Sequence, residues 1–303
     1  MGARVSSTLS DIARAKINLT LQVLGRREDG YHELVSLVAF AGACDAIELE
    51  PSGDLGLSAA GPFAGALGGD NLILTAAVAA SALKPGIRLG HFRLIKQLPV
   101  AAGLGGGSAD AAAALRLIER ANPGKLAETD LATLARELGS DVNVCLASQP
   151  ALITGRGEKV TYVRGFPSCA VVLVNPRIPL ATAPVYAALR AEKLAAAPEP
   201  VNVPDFDRDF AILVDYLLPR GNDLEGPAAG LVTKIREVLA TLLTLPGARI
   251  ARLSGSGPTC FALFARYDEA ERAAASLAKS HPDWWIAASG LGQSMIPKSV
   301  ILD

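Results

Sequence analysis

Two ionisable residues and one glycine cluster carry the chemistry this sequence can do. Residues 98–120, LPVAAGLGGGSADAAAALRLIER, run from a strand-like segment through Gly103, Gly105, Gly106 and Gly107 into an alanine-rich helix. Glycines admit backbone conformations closed to other residues and leave no side chain to keep an anion from the N–H groups. The helix start adds unpaired N–H groups and the positive end of a dipole. Together these suit a phosphate. Ser108 stands where it can cap the helix, bind a phosphate oxygen or reach a metal ion. Asp141, in SDVNVCLA directly after Gly139, is either the cap of a short helix or, beside a phosphate site, a catalytic base. Lys16 and Asn18 share one face of an alternating strand, where an ordinary solvated face is the plainer reading.

Spacing excludes several kinds of glycine loop. No lysine lies between Lys96 and Lys125, so the Walker A pattern fails. The dinucleotide fingerprint breaks because Ser108 stands where a third glycine or alanine is required. A nucleophile elbow breaks at Asp110, which replaces its last glycine. A phosphate loop of another design remains, beside the bland alternative of a glycine-rich turn without a ligand.

The elements that must position these residues follow from local patterns. In ARAKINLTLQVLGRREDGYHEL, Ile17, Leu19, Leu21 and Val23 alternate with Lys16, Asn18, Thr20 and Gln22, which predicts a strand with one buried and one polar face. Asp29-Gly30 marks a hairpin turn, and Tyr31 and His32 begin the return. DAIELE reads as a further strand. Residues 51–69 read as a loop with a short strand at most, and Asn71 caps a helix through Ala82. HFRLIKQLP is a strand feeding the loop, and the helix after the loop ends near Pro123-Gly124. Thr129 caps another helix, whose Leu131, Leu134 and Leu138 form an apolar stripe stopped by Gly139. Strand character returns at Ala151, CAVVLVNP is a buried strand, and IPLATAPVYAALR enters a helix. Residues 192–208 read as a polar surface excursion. RIARLSGSGPTCFALFAR predicts strand, glycine turn and strand, followed by the helix DEAERAAASLAKS and a strand near 284–288. This ββαβ series after a strand and a helix predicts a ferredoxin-like second domain. By itself, Ser254-Gly255-Ser256-Gly257 is only a tight hairpin.

The chain has 303 residues, half of them hydrophobic and 19% charged, with a formal net charge of −1. That length suits two domains or one large one. The pI near 6.3 gives no broad electrostatic footprint for nucleic acid or an anionic membrane. Cys44, Cys145, Cys169 and Cys260 lack zinc or disulfide spacing and read as buried reduced thiols. There is no apolar run of ~18 residues and no signal-peptide core, so a cytoplasmic protein is expected. Met1-Gly2 with Ser6 fits the minimal myristoylation pattern, which chance explains better without a basic patch or second lipid signal.

Three motifs in order, AKINLTLQVLGRREDGYHEL, LPVAAGLGGGSADAAAAL and RLSGSGPTCFALF, resemble the galactokinase, homoserine kinase, mevalonate kinase and phosphomevalonate kinase superfamily, the GHMP kinases. The resemblance covers nearly the full length. The triple glycine of GLGGGSA and the DGYHEL segment resemble the branch that acts on a cytidine diphosphate substrate. GSDVN looks like the family's G-A-D-V-P segment, with Ser140 and Asn143 as departures that bear on local helix geometry. The resemblance implies an α+β, two-domain fold. Residues 1–163 would form a nucleotide-binding domain like ribosomal protein S5 domain 2, and residues 164–303 a ferredoxin-like domain, with the active site in the cleft between them. It implies phosphoryl transfer from ATP, with Mg2+, to the 2-hydroxyl of cytidine diphosphate methylerythritol, in the non-mevalonate route to isoprenoids. In that scheme Asp141 is the general base, and Lys16 positions it and stabilises charge on the phosphoryl group. Pro99, Val100, Ala101, Ala102, Gly103, Leu104, Gly105, Gly106, Gly107, Ser108 and Ala109 wrap the phosphates, and Asn71 and Lys96 lie near the adenosine. Asn18 and Thr182 hold the substrate, while Tyr31 and His32 receive cytosine by stacking and by hydrogen bonds. Gly255 and Gly257 let the hairpin approach the phosphate loop. No dedicated metal-ligand pair is evident, so Mg2+ rests on Ser108 or on outer-sphere water.

Two rival readings stay open. A GHMP kinase for a simpler alcohol, such as homoserine or mevalonate, has no use for a base-stacking Tyr31. A binding protein or dinucleotide oxidoreductase has no use for Lys16 and Asp141 together.

Overall fold

The computed structural model describes residues 8–51, 54–196, 198–199, 201–203 and 205–292. Met1, Gly2 and Ser6 of the myristoylation pattern lie outside the described residues, as do residues 52–53 of the expected loop and 197, 200 and 204 of the expected surface excursion. In chain order the elements are β1 (Leu9–Asn18), β2 (Gln22–Arg26), β3 (His32–Glu50), β4 (Gly56–Ala60), α1 (Leu72–Leu83), β5 (His91–Ile95), α2 (Gly106–Ala121), α3 (Glu128–Leu138), α4 (Ser140–Ala147), β6 (Ala151–Gly155) and β7 (Lys159–Tyr162). There follow β8 (Cys169–Asn175), α5 (Thr182–Leu189), α6 (Phe210–Leu217), α7 (Glu225–Leu231), α8 (Lys234–Leu243), β9 (Ile250–Leu253), β10 (Cys260–Phe264), α9 (Tyr267–Ser280) and β11 (Trp285–Leu291). The content is α+β, as expected.

The chain divides into two compact units that do not follow chain order. Among the described residues the first comprises 8–14, 44–51, 54–100 and 106–147. Here β5 runs antiparallel to residues 46–50 of β3 and parallel to β4. Helix α2 packs against α1, α3 and α4. Its alanines at 111–114 are fully buried, and small side chains of this kind let helices approach closely without a cavity.

The second unit comprises residues 15–43 and 101–105 and the described residues between 148 and 292. One part is antiparallel, with β2 and β6 each pairing with the first half of β3, and β7 with β6. The other is the sheet β11-β8-β10-β9, antiparallel throughout. Taking β8 as its first strand, its order is 4-1-3-2, the ferredoxin-like arrangement the ββαβ pattern predicts. Every residue of β8 and β10 is buried, which explains why CAVVLVNP shows no polar alternation.

Several local expectations change. DAIELE is not a separate strand: it ends the 19-residue β3, which runs on through Gly42 and Asp45 without a turn. The predicted alternating strand breaks after Asn18, because the Leu19 and Thr20 amides both donate to Leu37 O and Leu21 forms a bridge with Asn222 instead. Its polar face is not solvated, since Lys16, Asn18 and Thr20 are 5, 2 and 5% exposed. Thr129 does not cap α3, whose cap is Ala127; the Ala127 amide donates to the Asp130 carboxylate at 2.9 Å. Asn71 does cap α1, its side chain accepting from Ile73 N at 2.9 Å. Within residues 192–208, Phe206 is fully buried, against rings of Phe166 and Tyr216. Helices α6 to α8 were not placed by pattern, although Asp209 caps α6 through Ala211 N at 2.7 Å.

Candidate active site

The phosphate-loop candidate is built from β5, the turn 96–105 and the start of α2. The helix opens at Gly106, so Ser108 lies in its first turn and is not its cap. Residues 101–105 belong to the second unit, and there they run beside the end of β1 and the turn between β9 and β10. Lys16 N donates to Leu104 O at 2.8 Å, and Thr259 N donates to Ala102 O at 3.2 Å. Ser254 Oγ donates to Gly103 O at 2.9 Å and accepts from Asn18 N at 3.2 Å. The glycine turn 254–257 is therefore more than a hairpin: its serine joins the loop to the strand that carries Lys16 and Asn18. Gly103 has φ +72°, and a Cβ there would lie 2.3 Å from Ser254 O.

Asn18 is held from one side only. Its Nδ2 donates to Ser36 Oγ at 2.8 Å, and Ser36 Oγ in turn donates to Thr20 O. Among the described residues Asn18 Oδ1 has no hydrogen-bond partner although it is buried. A buried, unsatisfied acceptor costs about 1–3 kcal/mol unless a donor reaches it, so this atom suits a ligand hydroxyl.

The remaining candidates of the second unit form a linked set. Tyr31 is 57% exposed, and the Arg156 guanidinium lies 4.8 Å from its ring centroid. The His32 ring packs on Tyr186 at 4.8 Å between centroids. Burial first, and then the charge of Arg26, lower the pKa of His32, so the ring stays neutral near pH 7 and keeps one donor and one acceptor. Thr182, one turn before Tyr186 on α5, shares a hydrogen bond with Ser256 Oγ at 3.0 Å. Tyr186 and Arg156 were missed in the sequence. The i, i+4 spacing of Tyr186 from Thr182 was the available signal.

The first unit holds Asn71, Lys96 and Asp141. Asp141 lies in the first turn of α4, which begins at Ser140, so it does not cap that helix. An acidic side chain there is favoured by the helix dipole. Lys96 is 2% exposed, with its ammonium between Asp45 and Asp110. Burial alone would lower the Lys96 pKa, but the two carboxylates raise it above its ordinary value. Burial pushes the Asp110 carboxyl up to about 7, Asp45 adds to the rise, and Lys96 opposes it. Because the folded pKa exceeds the unfolded one, the native state holds this proton more tightly. Its stabilising effect is complete below about pH 4 and is lost as pH rises through about 7. The unaltered protein should therefore lose Tm between pH 5 and 8, and Asp110→Asn should flatten that decline, which thermal melts across that range would check.

All four cysteines are free and buried. Burial pushes Cys44 up to about 11 and Cys169 up to about 12, so these thiols are inert near neutral pH. Among the described residues no helix is long and apolar enough to cross a membrane. Among them, too, no group of three His, Cys, Asp or Glu is placed to hold a metal ion.

Comparison with known proteins places this arrangement. Residues 71–155 match the GHMP kinases N terminal domain, and residues 208–283 match the GHMP kinases C terminal domain. A 4-diphosphocytidyl-2-C-methyl-D-erythritol kinase from Methylobacterium radiotolerans is 49% identical over 285 residues, covering 92% of this chain and 97% of the relative. One of the same name from Rhodopseudomonas palustris is 49% identical over 292 residues, covering 94% of this chain and 95% of the relative. A crystal structure of 4-(cytidine 5'-diphospho)-2C-methyl-D-erythritol kinase aligns with a TM-score of 0.75 and 34% identity, over 94% of this chain and 100% of that one.

Proposed function

The chain belongs to the GHMP kinases, and within them to the 4-diphosphocytidyl-2-C-methyl-D-erythritol kinases; on that premise we propose that it moves the terminal phosphoryl group of ATP to the 2-hydroxyl of cytidine diphosphate methylerythritol. The observation that carries the acceptor side is the clustering of Tyr31, His32, Tyr186, Thr182 and Asn18 in one compact unit. An exposed aromatic ring and a neutral imidazole suit a pyrimidine base. The orphaned Asn18 Oδ1 suits a hydroxyl of the polyol.

The loop from Pro99 to Ala109 binds the phosphates of ATP through its backbone N–H groups and the start of α2. Asn71 belongs to the adenosine side, whereas Lys96, expected there too, has its ammonium buried between Asp45 and Asp110. Asp141 accepts the proton of the attacking hydroxyl, and Lys16 stabilises charge on the transferred group. Phosphoryl transfer depends on alignment and electrostatic stabilisation, which is what a fixed loop, one base and one cation supply. Mg2+ arriving with ATP neutralises the phosphates. The residues present fit an ion carried by the nucleotide, which the Ser108 hydroxyl or outer-sphere water would hold on the protein side. The division in chain order, 1–163 for nucleotide and 164–303 for the ferredoxin-like part, belongs to the same proposal. So does a cytoplasmic location, which free, buried cysteines suit.

The test is ADP release with ATP and Mg2+, supplying the cytidine substrate, homoserine and mevalonate in parallel. Turnover with the cytidine substrate alone is expected; turnover only with a simpler alcohol would discard the pyrimidine pocket. Within that assay, Tyr31→Ala should raise KM for the cytidine substrate about tenfold or more, as loss of a base–aromatic stack does, and leave KM for ATP unchanged.

A further inference from the structure

Lys96, Asp45 and Asp110 form a buried charge cluster that no step of phosphoryl transfer uses. Lys96 Nζ lies 2.7 Å from Asp45 Oδ2 and 2.6 Å from Asp110 Oδ2. The other oxygen of Asp45 accepts from Gln97 N at 2.6 Å and from Leu98 N at 2.8 Å. The cluster therefore grips three successive residues, 96–98, immediately before Pro99 opens the loop. Asp110 stands at the far end, one turn into α2. A Cβ on Gly106 would lie 3.2 Å from Lys96 Nζ, so the ammonium sits against the residue that begins the helix. All of these residues belong to the first unit.

We propose that Lys96, Asp45 and Asp110 are positioning residues for the phosphate loop: one buried ammonium fixes the strand that enters the loop to the helix that leaves it, and Lys96 acts on ATP through the loop without touching the nucleotide. This rests on the reading of residues 99–109 as the ATP phosphate loop. At 2% exposure, the ammonium commits two of its three N–H donors to the carboxylates of Asp45 and Asp110. Charge accounting gives the proposal its test. Removing Lys96 alone leaves Asp45 and Asp110 buried with no cation between them, so one of the two must take up a proton, the costly way to break such a cluster. Removing Lys96 and Asp110 together leaves only Asp45, which keeps its two backbone N–H donors.

The experiment compares the unaltered protein, Lys96→Met and the double variant Lys96→Met/Asp110→Leu by fluorescent-nucleotide titration with ATP as competitor, by kcat at saturating ATP, and by thermal melts. Lys96→Met is expected to weaken ATP binding about tenfold or more and to lower Tm, with a smaller change in kcat, as lost ground-state positioning does. The double variant should recover most of both losses. A double variant with restored Tm but ATP affinity as poor as that of Lys96→Met would overturn the proposal, because the ammonium would then be needed by the nucleotide itself. If Lys96→Met does not fold, the double variant decides alone: ATP binding at near-native Tm supports the proposal, and a tenfold or greater loss at that Tm overturns it. Failure of the unaltered protein to bind ATP would overturn the loop reading, and this proposal with it.

Discussion

Asp141→Asn should lower kcat about a thousandfold, within the range general bases supply, while ATP affinity stays within about twofold. Asparagine has nearly the shape of aspartate but cannot accept the hydroxyl proton at neutral pH, so the change removes the chemistry and spares the fold. Asp141 also serves its helix, because a carboxylate in the first turn of α4 interacts with the dipole. That service is worth only about 0.3–1 kcal/mol, which a Tm measurement resolves separately. If Asp141 were merely a helix-start residue, Tm would fall slightly and turnover would persist. Single-turnover ADP formation, with nucleotide titration and thermal melts on the same variant, separates the outcomes.

Gly103→Ala should be the most damaging single methyl group in the loop. The residue has φ +72°, and the new Cβ would lie 2.3 Å from Ser254 O and 2.8 Å from Gly257 N. Both obstacles are backbone, so no side chain can swing aside to relieve the clash. Strained backbone and overpacking together should cost about 3 kcal/mol or more of stability, read as a lower urea midpoint, with ATP binding lost alongside. Gly107→Ala is the contrast. There the nearest atom, Leu72 Cδ1, is 3.7 Å away, so stability should hold. Any loss of ATP affinity would then report only how closely the phosphates approach that residue.

The parts of the molecule that were legible in the sequence are those whose signal is local. Glycine spacing located the loop, Asn71 marked the start of α1, and the ββαβ pattern specified the ferredoxin-like sheet. What escaped depends on residues distant in the chain. The polar face of β1 looked solvated because its cover comes from Leu104, Ser254 and Leu37. Lys96 was expected near the adenosine by resemblance alone, and only the fold brings Asp45 and Asp110 to it. Helix α7 carries Gly226, Pro227 and Gly230, which read as a loop by propensity, and tertiary packing of Ala228 and Ala229 overrides that preference. At the candidate site, glycine spacing marked the loop, Lys16 and Asp141 took their roles only from the family resemblance, and Tyr186 shows its place only through contact with His32.

The pairing of β3 bears on how the chain is made. Its residues Leu34 and Val35 have β2 on one edge, synthesised just before them, and β6 on the other, where the pairing runs on to Val38. The second partner emerges roughly a hundred residues later, on the order of ten seconds at ordinary elongation rates. Throughout that interval the nascent chain displays an apolar strand with one unpaired edge, the kind of surface on which growing chains stick to one another. Yield in a cell should accordingly depend on whatever shields that edge during translation, and slowing the ribosome between codons 40 and 150 should lower the soluble fraction without altering the stability of the molecules that do mature.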